Sequence, residues 1–174
     1  HLPLQPGCPR VLKAMKRHYD RERYLAAVLY AKSVMPDLVL TSDVIVGFPG
    51  ETAQEFEETM TLISQVGYDA LFTFIFSPRA GTPAASMEDP TPKEEKSARF
   101  DRLCALQNQI SETIHRGYVG KTLEVLIDGT EGQLLTARTE GGRLVRLQGD
   151  KSLVGQFALA EITGSNTWSL TGTW

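Results

Sequence analysis

Hydrophobic positions along the first 116 residues switch repeatedly between alternation, helical spacing and unbroken runs. His1 to Gln5 alternates and is closed by Pro6-Gly7, which predicts a short strand over 1–5. In the following PRVLKAMKRHY, Val11, Leu12 and Met15 fall at helical spacing. Asp20 stands where an N-cap belongs for a second helix, RERYLAAVLYAKSVM, and Pro36 stops it. Residues 38–46 are rich in Val, Ile and Leu and predict a buried strand. Thr52 and Glu55 have the spacing of a capping box for TAQEFEETMTLISQVG, where Phe56, Met60 and Ile63 share a face and Gly67 is the stop. ALFTFIF, residues 70–76, reads as the third strand. A proline-rich loop from Pro78 to Pro92 follows, and Thr91-Pro92-Lys93-Glu94 signals the start of a long helix reaching about Arg116.

This order is βαβαβα, and strands alternating with helices imply parallel strands joined by right-handed crossovers. The pattern changes at Gly117. TLEVLI, QLLTART, LVRL, FALAEIT and WSLTGTW are short runs separated by Gly, Asp and Asn turn signals, DGTEG among them. They predict a small antiparallel barrel with the size of an oligonucleotide-binding module. The expected division is 1–116 for the α/β part and 117–174 for the barrel.

Composition narrows the function classes. A chain of 174 residues with 41% hydrophobic and 22% charged residues is that of an ordinary globular protein. A net charge of −3 excludes a polyanion binder acting through its overall field, so any nucleic-acid contact has to be local. No apolar run is long enough to span a membrane and no signal peptide opens the chain, so no membrane partner is expected. Two cysteines, Cys8 and Cys104, form no CxxC pair, which argues against a zinc or cluster site built from this chain, and free thiols point to the cytoplasm. Because His1 lies inside a strand-like stretch, the chain reads as a fragment of a longer protein.

Two basic stretches are candidate RNA contacts. Residues 10–23 carry Arg10, Lys13, Lys16, Arg17, Arg21 and Arg23 against Asp20 and Glu22, either a solvated helix face or a phosphate contact. Around Gly141-Gly142, the cations Arg138, Arg143, Arg146 and Lys151 stand against Glu140 and Asp150. Phe157 and Trp168 read as core residues, His18 and His115 as surface residues of helices, and Cys8 as a bystander.

The stretch with the most chemistry is DVIVGFPGET, residues 43–52. Parallel α/β folds bind ligands at the carboxyl ends of their strands. Three such ends are Gln5, the 43–51 segment and 76–81. Glycines there let backbone approach a ligand closely. Asp43 can accept both hydroxyls of a ribose, and Arg17 can clamp a carboxylate through two parallel hydrogen bonds. The same residues also make a plain strand-to-helix turn, with Thr52 as cap and Pro49 as stiffener, and the local pattern leaves both readings open.

HLPLQPGCPRVLKAMKRHY resembles the HLPLQSGS…VLKxMxRxY segment of the radical S-adenosylmethionine methylthiotransferases. TSDVIVGFPGETAQEF and FTFIFSPRAGTPAA are similar to that family's next two segments, in order and spacing. The tail from VGKTLEVLIDG to TWSLTGTW resembles its C-terminal TRAM module. Most similar is the branch that makes 2-methylthio-N6-isopentenyladenosine in tRNA. The alternatives are a sister enzyme acting on threonylcarbamoyladenosine or a ribosomal protein, and a non-enzymatic RNA-binding module.

The resemblance implies the C-terminal half of a partial (βα)6 radical S-adenosylmethionine barrel followed by an OB-like TRAM barrel. Its strands four to six would be residues 1–5, 38–46 and 70–76. It implies that Gln5 and Arg17 meet the methionyl end of S-adenosylmethionine and Asp43 the ribose. Val44 and Ile45 would wall the adenine, and Glu51 would hold the turn. Gly47 and Phe76 complete the implied cofactor set. The family pattern Gly-x-Ile-x-Gly-x-x-x-Glu falls on Asp43, Ile45, Gly47 and Glu51, so its first glycine is replaced here. Pro6 stands where the family has serine, and Ala80 where proline is common. By family order the CxxxCxxC and three further cysteines for two 4Fe–4S clusters lie upstream of His1, leaving no catalytic or metal-ligating residue in this chain. Also implied are tRNA as substrate and an electron donor such as a flavodoxin. The implied chemistry is reductive cleavage of S-adenosylmethionine, hydrogen abstraction at adenine, and sulfur and methyl transfer.

Overall fold

Local capping sets where the first helices begin in the computed structural model, which describes residues 1–174. Helix α1 (Pro9–Ala14) starts at a proline whose missing amide costs no helical bond. It is shorter than PRVLKAMKRHY predicts, because Lys16 turns left-handed at φ 55. The Lys16 amide then donates to Lys13 O (3.0 Å) and the Arg17 amide to Leu12 O (2.9 Å), closing the helix end. Helix α2 (Arg21–Val34) is capped by Asp20, whose carboxylate accepts from the Arg23 amide at 2.8 Å. Strand β1 (Thr41–Val46) leads to helix α3 (Ala53–Val66), which carries the full Thr52/Glu55 capping box and ends at left-handed Gly67. Strand β2 (Ala70–Ile75) is followed by a 3-10 turn at Pro83–Ser86 and helix α4 (Lys93–Arg116).

The chain divides into two units, His1–Ile110 and Ser111–Trp174. In the first, β1 and β2 pair in parallel, with Asp43 opposite Phe72 and Ile45 opposite Phe74. Ser42, Val44 and Val46 are buried; the residues between them are half-exposed. Val44 and Val46 pack with Phe56, Leu62 and Ile63 of α3 and Leu103 of α4. Each large apolar side chain fully buried there contributes about 1.5–3 kcal/mol.

The segment 1–5 is not a strand, contrary to its alternation. It lies beside β1, with Leu2 N–H donating to Thr41 O (2.9 Å) and Gln5 N–H to Asp43 O (2.8 Å). Pro3 has no amide to give, the Leu4 amide turns to the Ser42 hydroxyl at 2.7 Å, and Gln5 leaves the extended region at φ 63. The segment is anchored by side chains instead: Tyr24 OH donates to Leu2 O at 2.8 Å and receives the Tyr68 hydroxyl at 2.8 Å.

The second unit is a closed barrel of β3 (Thr122–Glu131), β4 (Leu134–Thr139), β5 (Leu144–Leu147), β6 (Phe157–Ser165) and β7 (Leu170–Thr173), in the order β3-β4-β5-β7-β6. As expected of a small antiparallel OB-like barrel, four of the five seams are antiparallel, and β5 and β7 run parallel at the fifth. Directions cannot alternate around a ring with an odd number of strands, so one neighbouring pair has to be parallel. DGTE, expected in a turn, continues β3 through an irregularity between Ile127 and Gly129. Val125, Ile127, Leu135, Val145, Ile162 and Leu170 fill the interior.

Candidate functional site

The two-residue period of β1 sorts the expected cofactor residues onto opposite faces. Asp43 and Ile45 share a face with Phe72 and Phe74 of β2, which are 56% and 53% exposed. Val44 points the other way and is fully buried in the helix-facing core. Its expected place beside the adenine is therefore corrected: adjacent strand residues cannot wall the same ligand face. The Asp43 carboxylate lies 3.3 Å from the His1 imidazole, whose other nitrogen bonds Thr41 Oγ1 at 2.8 Å.

Gly47 follows β1 at φ +70, where a side chain is strained, and a Cβ there would stand 2.8 Å from the Lys96 stem. Its amide donates to Glu51 Oε2 at 2.8 Å. Glu51 is 2% exposed and is gripped from α4: Arg99 Nη1 donates to Glu51 O at 2.9 Å and to Oε2 at 3.3 Å. Arg99 also pairs with Glu95, and Lys96 with Asp89. Burial pushes the Glu51 carboxyl above its ordinary value, opposed by the Gly47 amide and Arg99. The second oxygen, Oε1, is buried with no hydrogen-bond partner. Arg99 and Lys96 were missed by sequence reading; the Glu95–Arg99 spacing signals only a helical ion pair, and nothing local points to Glu51 at 48 residues' distance.

The turn is fixed from its other side as well. Arg10 pairs with Glu55 and donates to Gly50 O at 2.7 Å. The Glu55 carboxyl, bonded by Arg10 and by Thr52, is pulled down to about 2. The structure thus brings the backbone of Gln5 to Asp43, and Glu51 to Gly47. Gln5 itself is 6% exposed. Phe76 packs edge-on against Phe48 at 5.1 Å, in a small apolar cluster with Val11 and Cys8. Exposed Arg17 lines a cleft of about 320 Å³ with Lys13, His18, Tyr19 and Arg23, which includes none of Gln5, Asp43 and Gly47.

One observation suits a nucleoside-bearing cofactor along β1, a partly exposed carboxylate beside the apolar Ile45, whereas the space over Gly47 is taken by the Lys96 stem. An iron–sulfur cluster does not fit this chain's donors. Cys8 is buried and Cys104 half-buried, and no three His, Cys, Asp or Glu side chains converge to hold a metal ion.

On the barrel, the basic set is partly dismantled. Arg143, expected at the RNA face, is 7% exposed, with its guanidinium 4.7 Å from the Tyr118 ring, a cation–π contact that draws it in. Arg138 Nε donates to Asp128 Oδ2 at 3.0 Å. Arg146 Nε donates to Glu131 Oε2 at 2.6 Å and its Nη1 to Ser169 Oγ at 2.5 Å. Thr136 and Arg138 hold the Asp128 carboxyl below its usual range, and Arg146 does the same to Glu131. Lys151 is exposed on a 3-10 turn capped by Asp150. The core reading of two aromatics is also corrected: Phe157 is 68% exposed, alternating with the inward residues of β6, and Trp168 is 72% exposed on the Asn166 turn between β6 and β7. His115, expected at the surface, is buried, and its Nδ1 lies 2.8 Å from Asn166 O.

Residues 1–63 match the Radical SAM superfamily and residues 116–174 match the TRAM domain. The TRAM match covers the closed five-stranded barrel, and the Radical SAM match runs from His1 through β1 into α3. Over 99% of its length it is 47% identical to a tRNA-2-methylthio-N(6)-dimethylallyladenosine synthase of Clostridium botulinum strain Langeland, covering 39% of that protein. Proteins of the same name from Acetivibrio thermocellus and Bacillus cereus strain AH187 are 45% and 47% identical, over 36% and 34% of their lengths. The chain therefore spans little more than a third of the length of these relatives. No helix is long and apolar enough to cross a membrane.

Proposed function

We propose that this chain is part of a tRNA methylthiotransferase that adds a methylthio group to C2 of N6-isopentenyladenosine beside the anticodon. The observation that carries the reading is similarity over 99% of the chain to synthases named for that modification. The partly exposed Asp43 carboxylate beside Ile45 adds a physical basis for cofactor binding. S-adenosylmethionine, when bound, supplies an adenosyl group for radical chemistry and a methyl group. Asp43 accepts the ribose hydroxyls, Ile45 borders the adenine and Gln5 meets the methionyl end, with Phe76 closing the strand end; Arg17, in its separate cleft, is left out of this set. Glu51 and Gly47 keep the turn in shape. Val44 serves from the core, by holding β1.

Residues 1–116 form the cofactor-binding half and residues 117–174 the RNA-binding module, with Arg138, Arg146 and Lys151 as phosphate contacts and Arg143 as their internal support. Two 4Fe–4S clusters are held by residues outside this chain, electrons come from a donor such as a flavodoxin, and the enzyme works in the cytoplasm. The test is nucleoside analysis. The whole protein, expressed in cells lacking the modification, is expected to restore 2-methylthio-N6-isopentenyladenosine in tRNA digests. Methylthiolation of threonylcarbamoyladenosine or of a ribosomal protein instead would reject the assignment.

A further inference from the structure

Trp168 is more exposed than any other large apolar side chain of the protein, at 72%. Its turn is tightly built. Asn166 Oδ1 accepts the amides of Trp168 (2.8 Å) and Ser169 (2.9 Å), and the Asn166 amide donates to Ser169 O at 2.9 Å. His115 Nδ1, at 2.8 Å, meets Asn166 O. The next residue, Ser169, is 1% exposed, and its hydroxyl receives Arg146 Nη1 at 2.5 Å. One guanidinium is thereby fixed beside the residue that carries the bare indole.

The surroundings are polar. Arg146 is opposite Thr171 on β7 and Thr136 on β4, and Arg138 stands two residues further along the same outer face of β4. A bare ring on a fixed turn, one residue from the serine that anchors a guanidinium, suits a nucleobase and its neighbouring phosphate, because every base offers a π face and stacking requires no contiguous apolar surface. The competing ion pair is weak enough to yield: Glu131 is well exposed, and exposed pairs contribute little.

We infer that Trp168 is a stacking platform for an unpaired nucleotide of the RNA substrate, with Arg146 positioned for the adjoining phosphate. The inference rests on the proposed RNA substrate and adds its single-stranded character at this point of the barrel. Asn166 and Ser169 preorganise the ring, which spares the ordering entropy a mobile loop would lose on binding.

The chain has two tryptophans, so Trp174→Phe leaves Trp168 as the only indole. That variant is titrated with an unstructured single-stranded oligoribonucleotide and with duplex RNA of equal length. The single strand is expected to quench the fluorescence at concentrations where the duplex does not. In the same chain, Trp168→Ala is expected to weaken single-strand binding about tenfold with no change in salt slope, and Trp168→Phe to restore most of it. Arg146→Gln should instead flatten the slope by about 0.7. Unchanged affinity in Trp168→Ala, or equal quenching by duplex, overturns the stacking role. If Arg146→Gln alone weakens binding, the phosphate contact survives without the stacking role; if neither RNA binds the chain, the stacking role falls and the methylthiotransferase reading is decided separately by the nucleoside analysis.

Discussion

Glu51 and Glu55 flank one turn and respond to protons in opposite senses. Glu55 falls to about 2 from 4.5, so its stabilisation is complete above about 4.5 and is lost as pH drops through 2. Glu55→Gln is expected to lower the urea midpoint at pH 7, the gap to wild type closing as pH approaches 2. A constant gap would show that the carboxylate contributes only shape. Glu51 is raised by burial, so ionising it in the fold is unfavourable, and stability falls as pH rises from its unfolded towards its folded value. Arg99 offsets that cost. Removing one partner of a buried pair costs about 3–5 kcal/mol. Arg99→Met should therefore destabilise by roughly 3 kcal/mol at pH 8 and by less at pH 5, as thermal melts at the two pH values would reveal.

At the scale of elements, β1 presents two different surfaces one residue apart. Val44 is fully buried among α2, α3 and α4 side chains, whereas Ile45 faces the half-open side with Asp43. Val44→Ala is expected to cost roughly 2–3 kcal/mol in denaturant unfolding, through lost burial and the cavity left behind, and Ile45→Ala less than half of that. Ligand binding should rank the residues differently. In the whole protein, Asp43→Ala removes charge-assisted hydrogen bonds to a diol, each contributing about 1.5–3 kcal/mol, and should weaken S-adenosylmethionine binding about tenfold or more in calorimetry. An unchanged Kd with an intact fold would dismiss the ribose contact.

For the whole molecule, a net charge of −3 and a barrel segment, 119–174, with five basic and six acidic residues leave no general attraction for RNA. Cations already paired with a carboxylate contribute less to RNA affinity than unpaired ones, because the ion pair has to yield first. Arg138 and Arg146 are paired with carboxylates and Arg143 is buried. By contrast, Lys13, Lys16 and Arg23 have no carboxylate at ion-pair distance, and the Asp20 side chain between them caps α2. Replacing these three by Gln in the whole protein should flatten the salt dependence of tRNA binding by roughly 2–3 units, more than Arg138→Gln with Arg146→Gln. An unaltered slope would leave the α1–α2 cleft as ordinary solvated surface.

Helix boundaries at Asp20, Thr52 and Gly67 were legible because a cap is chemistry between residues at most four apart, and β1 and β2 because apolar runs are local, whereas the alternation of 1–5 misled, since Pro3 and the left-handed Gln5 deny it a ladder. The turn after β1 was legible for the same reason as the caps, from glycines and Glu51 spaced along one stretch. The sequence by itself determined these elements, their order and the switch to a barrel near Gly117. Only the tertiary structure decided which face of β1 meets the helices, since an unbroken apolar run does not say which side is covered. It also decided that Arg99 holds Glu51, that Arg143 turns inward onto Tyr118 and that Trp168 stays in water. Each of these depends on what a distant segment brings within a few ångströms, and burial is a property of that company rather than of the residue.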